Sequence, residues 1–148
     1  MQRRTLLQGA LAALLLPVGA AQAARPLIDV YKSATCGCCE AWVNHLRENG
    51  FKVNAHDVPG TSAYREKFGV PRDLGACHTA RVAGYAIEGH VPAQDIKRLL
   101  AERPKAKGLA VPGMPAGSPG MEGKRKDPYD VLLILPDGSH KVFRHVGD

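Results

Sequence analysis

Aromatic residues are scarce in this sequence, at 5% of 148 residues, and no stretch interleaves them with basic residues. A basic surface with aromatic side chains is typical of proteins that bind nucleic acid, so we expect no nucleic-acid partner. The net charge of +6, from 20 Lys and Arg against 14 Asp and Glu, is too modest to suggest one. Internal repeats and any recognisable hydrolase or transferase signature are also absent. The length suits a single domain.

Charged residues are absent from Leu6 to Ala21, directly after two adjacent arginines at positions 3 and 4. The apolar run ends in an A-x-A cleavage pattern, Ala21-Gln22-Ala23, and these features predict a signal peptide over residues 1–23. The paired arginines also fit the twin-arginine export route. The alternative is an uncleaved anchor helix, which two glycines and a proline within the run would weaken. We therefore expect an exported chain, residues 24–148, with no stable membrane association after cleavage.

The mature chain begins with alternating strands and helices. A strand is predicted over Leu27–Tyr31, and apolar residues at helical spacing predict a helix over Glu40–Asn49. The elements that follow are a strand over Phe51–Val58, a short helix over Thr61–Phe68, a hairpin over Cys77–Gly89 and a helix from Val91 to Pro104. This order indicates an α/β layered sheet. A cysteine pair between the first strand and the first helix favours a thioredoxin-like fold, with a mixed sheet and flanking helices.

Residues 104–128 show no periodicity and carry five prolines and five glycines. They predict one long loop rich in proline, glycine and methionine, and a loop of that length in a small domain usually has a function. Two strand-like segments follow, Tyr129–Leu135 and Lys141–Val146, on either side of the turn signal Pro136-Asp137-Gly138-Ser139. They predict a C-terminal β-hairpin. Residues 24–148 are thus expected to form a single thioredoxin-like domain.

Only four cysteines are present: Cys36, Cys38 and Cys39 lie within four residues, and Cys77 lies far along the chain. Bridges within the cluster would be strained or would close almost no loop, which argues against a stapling role and favours chemistry. Cys36 and Cys39 form a C-x-x-C pair at a helix start, where unpaired N–H groups and the helix dipole stabilise a thiolate. A thiolate is both a nucleophile in disulfide exchange and a metal ligand.

The third thiol of the cluster favours a metal, because Cys38 would misdirect disulfide exchange but would add a ligand to a metal site. Cys77 and His78 offer a fourth sulfur and an imidazole, and in a thioredoxin-like sheet the third strand begins beside the first helix's N-terminus. Soft thiolates favour Cu(I), with zinc second, and four sulfurs in a tight site can bridge several Cu(I) ions. For Cys77 alone, the alternative is a buried small apolar residue.

Three further side chains are candidate ligands: Met114 and Met121 in the long loop, and His90 after the hairpin. Thioethers are soft ligands for Cu(I). The alternative is that the methionines anchor the loop in an apolar groove, and both roles are compatible if the loop caps the metal site. The other four histidines, among them His45 in the middle of a helix, are expected to be solvated surface residues.

Four segments of the mature chain carry a family resemblance: Cys36-Gly37-Cys38-Cys39-Glu40-Ala41-Trp42, Cys77-His78-Thr79-Ala80, Gly84 to Pro92, and Val111-Pro112-Gly113-Met114-Pro115 through Gly120-Met121-Glu122. They are similar to the CopG-like family, small exported bacterial proteins linked to copper resistance and long labelled a domain of unknown function. The resemblance covers essentially the whole mature chain.

The resemblance implies a thioredoxin-like fold, a periplasmic location, and copper held by Cys36, Cys38, Cys39 and Cys77. It also implies a redox role that interconverts Cu(I) and Cu(II). The expected partners are copper ions and other periplasmic copper-handling proteins.

Three hypotheses follow for the chemistry. In the first, the protein sequesters or redox-converts copper at a cysteine thiolate site, with His78, His90, Met114 and Met121 as auxiliary ligands. In the second, it is a thiol–disulfide oxidoreductase in which Cys36 is the nucleophile and Cys39 the resolving thiol. In the third, it is a small zinc-stabilised domain without catalytic activity.

Overall fold

Seven strands form one mixed sheet in the computed structural model, which describes residues 25–148. The predicted signal peptide, residues 1–23, lies outside the described residues. The strands are β1 (Ile28–Lys32), β2 (Val53–Asp57), β3 (Thr79–Val82), β4 (Tyr85–Gly89), β5 (Gly108–Val111), β6 (Tyr129–Ile134) and β7 (His140–Val146). The helices are α1 (Gly37–Glu48), α2 (Ser62–Lys67) and α3 (Ala93–Glu102), with a single 3₁₀ turn at Arg72–Leu74.

The sheet order is β2-β1-β3-β4-β5-β6-β7. The pairs β1–β2 and β4–β5 are parallel, and the other four pairs are antiparallel. The predicted mixed α/β architecture and the C-terminal hairpin, β6–β7, are therefore confirmed. Within residues 25–148, no helix is long and apolar enough to cross a membrane.

The prediction of a continuous loop over residues 104–128 is wrong, because β5 lies within it and joins the two halves of the sheet. All four residues of β5 are buried, so the strand shows no polar–apolar alternation from which it could be recognised. A Cβ at Gly108 would collide with the carbonyl oxygen of Ala86 on β4, so glycine permits this pairing. The irregular loop is limited to residues 112–128.

The main hydrophobic core lies between one face of the sheet and the helices α1 and α3. Trp42 and Leu46 of α1 and Ile96 of α3 are fully buried there. The Trp42 indole Nε1 donates a hydrogen bond of 2.8 Å to the carbonyl oxygen of Val91 just before α3, which ties the two helices together. A smaller core, built around Leu74 and its neighbours, covers the opposite face of the sheet.

Helix α1 begins three residues earlier than predicted, at Gly37 instead of Glu40. The helical spacing of apolar residues starts only at Trp42, so the first turn, which contains Cys38 and Cys39, carries no periodic signal. Cys36 occupies the N-cap position and makes no side-chain capping bond. The first N–H groups of α1, in the segment that carries Cys38 and Cys39, therefore have no partners inside the helix.

The loop over residues 112–128 packs directly on this first turn of α1. Gly120 adopts a left-handed conformation, with φ of +88°. A Cβ at Gly120 would lie 2.6 Å from the Cys38 carbonyl oxygen, 3.0 Å from the backbone nitrogen of Trp42 and 3.1 Å from Nδ1 of His90. Only glycine allows the loop to approach both the helix and the histidine this closely.

His45 also connects α1 to α3, so the prediction of a solvated surface role for this residue is wrong. Its Nε2 accepts a hydrogen bond of 3.0 Å from the Ala93 backbone N–H. Helix α3 follows Pro92, which provides no side-chain cap, so His45 supplies an acceptor for one of the first backbone N–H groups of α3, which have no partner inside the helix.

Replacing His45 with alanine should lower the free energy of unfolding by about 1 kcal/mol near neutral pH, the usual effect of losing a helix cap. Burial lowers the pKa of His45 in the folded protein below its usual 6.5. As the pH falls, His45 is therefore protonated in the unfolded chain before it is protonated in the folded protein. The His45 contribution is complete above the unfolded pKa and is lost as the pH falls through the folded pKa. Urea titrations of both proteins should show a stability difference that shrinks between about pH 7.5 and pH 5. A constant difference would contradict this role.

Replacing Gly120 with alanine should destabilise the protein by about 3 kcal/mol, because backbone strain adds to a collision with the first turn of α1. Gly113 is the matched control: it lies in the same loop with φ of +71°, but a Cβ there meets nothing within 4 Å. Gly113→Ala should cost about 1 kcal/mol. Equal losses for the two variants in urea unfolding would show that the loop is not seated on α1.

Candidate metal centre

The four cysteine sulfurs come together where β1 leads into α1 and where β3 begins. All four lie within 4.8 Å of one another. The Sγ atoms of Cys36 and Cys38 are 3.5 Å apart, and those of Cys38 and Cys77 are 3.9 Å apart. Cys39 is fully buried, while the other three sulfur-bearing residues are partly exposed. The cluster is therefore enclosed on one side and accessible on the other.

Cys36 and Cys39 are joined by a disulfide, with their Cα atoms 5.3 Å apart, and Cys38 and Cys77 are free thiols. This bridge is the C-x-x-C pair that the sequence singled out. It closes a loop of only a few residues, so it contributes little to stability. Its reduction would turn two bonded sulfurs into two further thiols beside Cys38 and Cys77.

His90 presents an unprotonated ring nitrogen to the sulfur of Cys77. Its Nδ1 lies 2.7 Å from the carbonyl oxygen of Pro119, and its Nε2 lies 3.1 Å from the Cys77 sulfur. Since a carbonyl oxygen only accepts hydrogen bonds, Nδ1 carries the proton and Nε2 carries the lone pair. A backbone acceptor that fixes the tautomer in this way is the usual arrangement behind a metal-binding histidine.

His78 is fully buried beside the same sulfur, with its Nδ1 3.3 Å from Sγ of Cys77. Its ring stacks at a tilt on Trp42, with centroids 4.3 Å apart. Its other nitrogen, Nε2, has no hydrogen-bond partner among residues 25–148. A buried polar atom without a partner is costly, so this residue type at this position needs an explanation other than packing.

Burial favours the neutral forms of Cys77, His78 and His90. Burial, reinforced by the neighbouring Cys38, raises the pKa of the Cys77 thiol to about 12. Burial lowers the pKa of His78 to about 3 and also lowers that of His90. Neutral imidazoles are ready to act as ligands, whereas the thiols would release protons when they bind a cation.

The two loop methionines occupy different environments. Met114 is 50% exposed and Met121 is partly buried. The segment between the two methionines contacts the centre at two residues. The Pro119 carbonyl oxygen accepts a hydrogen bond from His90, and Gly120 packs on α1. The loop therefore covers part of the centre, while the role of the two thioethers as ligands stays a prediction.

Sequence reasoning missed the groups that support the centre. The Pro119 carbonyl is a backbone atom in an irregular loop, so no side chain marks it. Ala76, just before Cys77, is bonded through its backbone to Glu88 and Arg65. That contact depends on the β3–β4 register and on the packing of α2, neither of which leaves a local pattern in the sequence.

The donor set determines the chemistry that the centre can perform. Four sulfurs and two imidazoles form a soft, nitrogen- and sulfur-rich set that suits Cu(I) best and zinc second, and that does not suit magnesium or calcium. The disulfide adds a two-electron redox couple within the same cluster. The centre can therefore hold a soft cation, exchange electrons, or do both.

Part of the chain matches a known protein family. Residues 74–121 match a family model described as "Protein of unknown function, DUF411". A search of curated proteins finds no match. The matched segment contains Cys77, His78 and His90 and most of the loop, but not the N-terminal cysteines.

Two solved structures match over most of the chain. "Copper resistance protein copG- Form 1" is 46% identical, with a TM-score of 0.79, and the match covers 84% of this chain and 99% of that one. "Copper resistance protein copG- Form 2" is 47% identical, with the same TM-score, and the match covers 83% of this chain and 99% of that one. Such identity over nearly the whole of the relative exceeds a likeness of fold alone. The chain belongs to the family of the copper resistance protein CopG.

Proposed function

We propose that this protein binds copper as Cu(I) through the thiolates of Cys36, Cys38, Cys39 and Cys77 and thereby contributes to copper resistance. The observation that carries the proposal is the convergence of all four sulfurs within 4.8 Å. Copper is the cargo of this site and not a fixed part of the fold. The names of the two structural relatives support copper over zinc.

The ligand set supports binding of more than one ion. Thiolates can bridge neighbouring Cu(I) ions, so four sulfurs within 4.8 Å of one another can hold several ions by sharing ligands. His90, with its Nε2 lone pair directed at the cluster, is the best-placed auxiliary ligand, and His78 is the second. Met114 and Met121 are proposed to add thioether donors on the side that the loop covers.

A redox role follows from the Cys36–Cys39 couple. Oxidation of the two thiols to the disulfide releases two protons and two electrons. The two electrons reduce two Cu(II) ions to Cu(I), so atoms and charge balance without another reactant. In the reverse direction, the disulfide accepts two electrons from two Cu(I) ions and two protons from solvent. The protein would thus interconvert the two oxidation states as well as sequester the metal.

The setting of this activity is proposed to be the periplasm, after export directed by residues 1–23. We propose that the strands β2-β1-β3-β4, with α1 between β1 and β2, form a thioredoxin-like frame, to which β5, β6 and β7 are added. Other periplasmic copper-handling proteins are the proposed partners. They would deliver or accept the ion at the exposed side of the cluster.

A second candidate function is thiol–disulfide exchange, favoured by the disulfide between Cys36 and Cys39. Cys36 at the N-cap of α1 would be the nucleophile, and Cys39 would resolve the mixed disulfide. This activity requires no metal. It also makes no use of Cys38, which lies 3.5 Å from the Cys36 sulfur and would compete for it.

Replacing Cys36 and Cys77 together with serine should remove most of the bound copper. The reduced protein is loaded anaerobically with Cu(I), separated from free metal, and analysed for copper per chain. We expect at least one tightly held ion in the wild type and almost none in the double variant, because each change removes a soft ligand. Lys105→Ser with Lys141→Ser, at two exposed positions, is the control and should retain all the copper. Copper retained by the cysteine variant, or a preference for zinc, would contradict the proposal.

The Cys38→Ser variant separates the two candidate functions. If the cluster binds copper, this variant should bind Cu(I) at least about tenfold more weakly, as expected for loss of a ligand. If the protein is an oxidoreductase, the metal-free variant should reduce a disulfide substrate as fast as the wild type. Competition with a chromophoric Cu(I) chelator and a disulfide-reduction assay on the same preparation measure the two outcomes. Unchanged copper affinity with full reductase activity would replace the first function by the second.

A further inference from the structure

A buried ion pair lies next to the cysteine that completes the cluster. Glu88 of β4 is fully buried, and its Oε1 lies 2.8 Å from Nε of Arg65 on α2. Arg65 is largely shielded as well, with 13% of its side chain exposed. Neither residue belongs to an element that carries a cysteine, and the proposed function gives neither of them a role.

Both members of the pair bond to the same peptide segment. The Ala76 N–H donates a 2.7 Å hydrogen bond to Oε1 of Glu88, and the Ala76 carbonyl oxygen accepts a 2.7 Å bond from Nη2 of Arg65. Ala76 immediately precedes Cys77. The ion pair therefore binds both the N–H and the C=O of the residue on the N-terminal side of Cys77.

The C-terminal side of Cys77 is held by the adjacent hairpin. The Gly89 N–H donates a 3.1 Å hydrogen bond to the carbonyl oxygen of His78. Gly89 has φ of +72°, and a Cβ there would lie 2.8 Å from the Cβ of Ala76. The segment that carries Cys77 is thus fixed before and after the cysteine, and β4 contributes to both attachments.

We propose that Arg65 and Glu88 are positioning residues for Cys77, which hold its sulfur within reach of the three N-terminal thiols. This inference rests on the proposed function, because it assigns the pair a purpose in building the copper site. Burying an ion pair is costly, and apolar residues of similar size often stabilise a fold as well or better. Packing alone would therefore not require polar side chains here, whereas holding both the N–H and the C=O of Ala76 requires a side-chain acceptor and a side-chain donor, which Glu88 and Arg65 supply.

The first test uses no metal. In a Cys36→Ser/Cys39→Ser background, the only remaining thiols are Cys38 and Cys77, whose sulfurs lie 3.9 Å apart. Equilibration with glutathione redox buffers measures how readily these two form a disulfide, which reports their effective concentration. Arg65→Met with Glu88→Met removes every bond to Ala76 without leaving a buried charge, and should lower this effective concentration about tenfold.

Arg98→Met with Glu102→Met is the matched control, because that pair makes an ion pair of similar length, 2.7 Å, but is about half exposed and lies on α3. It should leave the disulfide equilibrium unchanged. An equilibrium equally unaffected in the Arg65/Glu88 variant would overturn the proposal. Should that variant fail to fold by circular dichroism, Arg65→Lys decides the question: lysine keeps the charge but lacks the planar fork that reaches Glu88 and Ala76 together. An equilibrium lowered in Arg65→Lys supports the proposal, and an unchanged one overturns it.

The second test measures coupling in the copper-loaded protein. The Arg65/Glu88 double variant should bind Cu(I) about tenfold to a hundredfold more weakly than the wild type, as is typical when support for a ligand is lost. In a Cys77→Ser background the same change should have no further effect, because the sulfur being positioned is already absent. An equal loss in both backgrounds would indicate a general structural role and overturn the proposal. If the wild type binds no copper, the proposed function fails, while the first test still judges the positioning role.

Discussion

The antiparallel pairing of β1 with β3 brings the four cysteines of this chain into one cluster. Tyr31 lies opposite Thr79 in that register. In an antiparallel pair, the end of one strand meets the start of the other. The residues that follow β1 therefore meet the residues that precede β3, which brings the cluster at the start of α1 beside Cys77. Two segments separated by about forty positions in the chain thus share one site.

The surroundings of the candidate centre favour neutral side chains and cover one side of the cluster. Burial disfavours the charged forms of Cys77, His78 and His90. A bound soft cation would remove this penalty for the thiolates, because its positive charge would compensate their negative charge. The hydrogen bond from Nδ1 of His90 to the Pro119 carbonyl oxygen leaves the lone pair on Nε2. The loop that packs on α1 through Gly120 covers one side of the cysteine cluster. Preorganisation of this kind reduces the loss of conformational entropy on binding.

Much of this arrangement can be predicted from the sequence, because the local patterns agree with the fold. Apolar spacing marked α1, turn chemistry marked the last hairpin, and the three clustered thiols indicated chemistry at a helix start. The strand β5 could not be recognised, since a short strand buried on both faces has no alternation. The start of α1 was misplaced because Gly37 and Cys38 carry no helical signal. The supporting contacts of Pro119, Arg65 and Glu88 depend on tertiary packing alone, so no local pattern encodes them.

The central claim is that four sulfurs from two distant segments form one centre that binds Cu(I). X-ray absorption spectroscopy at the copper edge, on reduced protein loaded with Cu(I), tests this most directly, because it counts the neighbours of the metal by element. We expect copper neighbours that are mainly sulfur, a copper–copper distance when several ions are bound, and a loss of sulfur neighbours in the Cys77→Ser variant. A shell of nitrogen and oxygen only, or a spectrum that Cys77→Ser leaves unchanged, would contradict it.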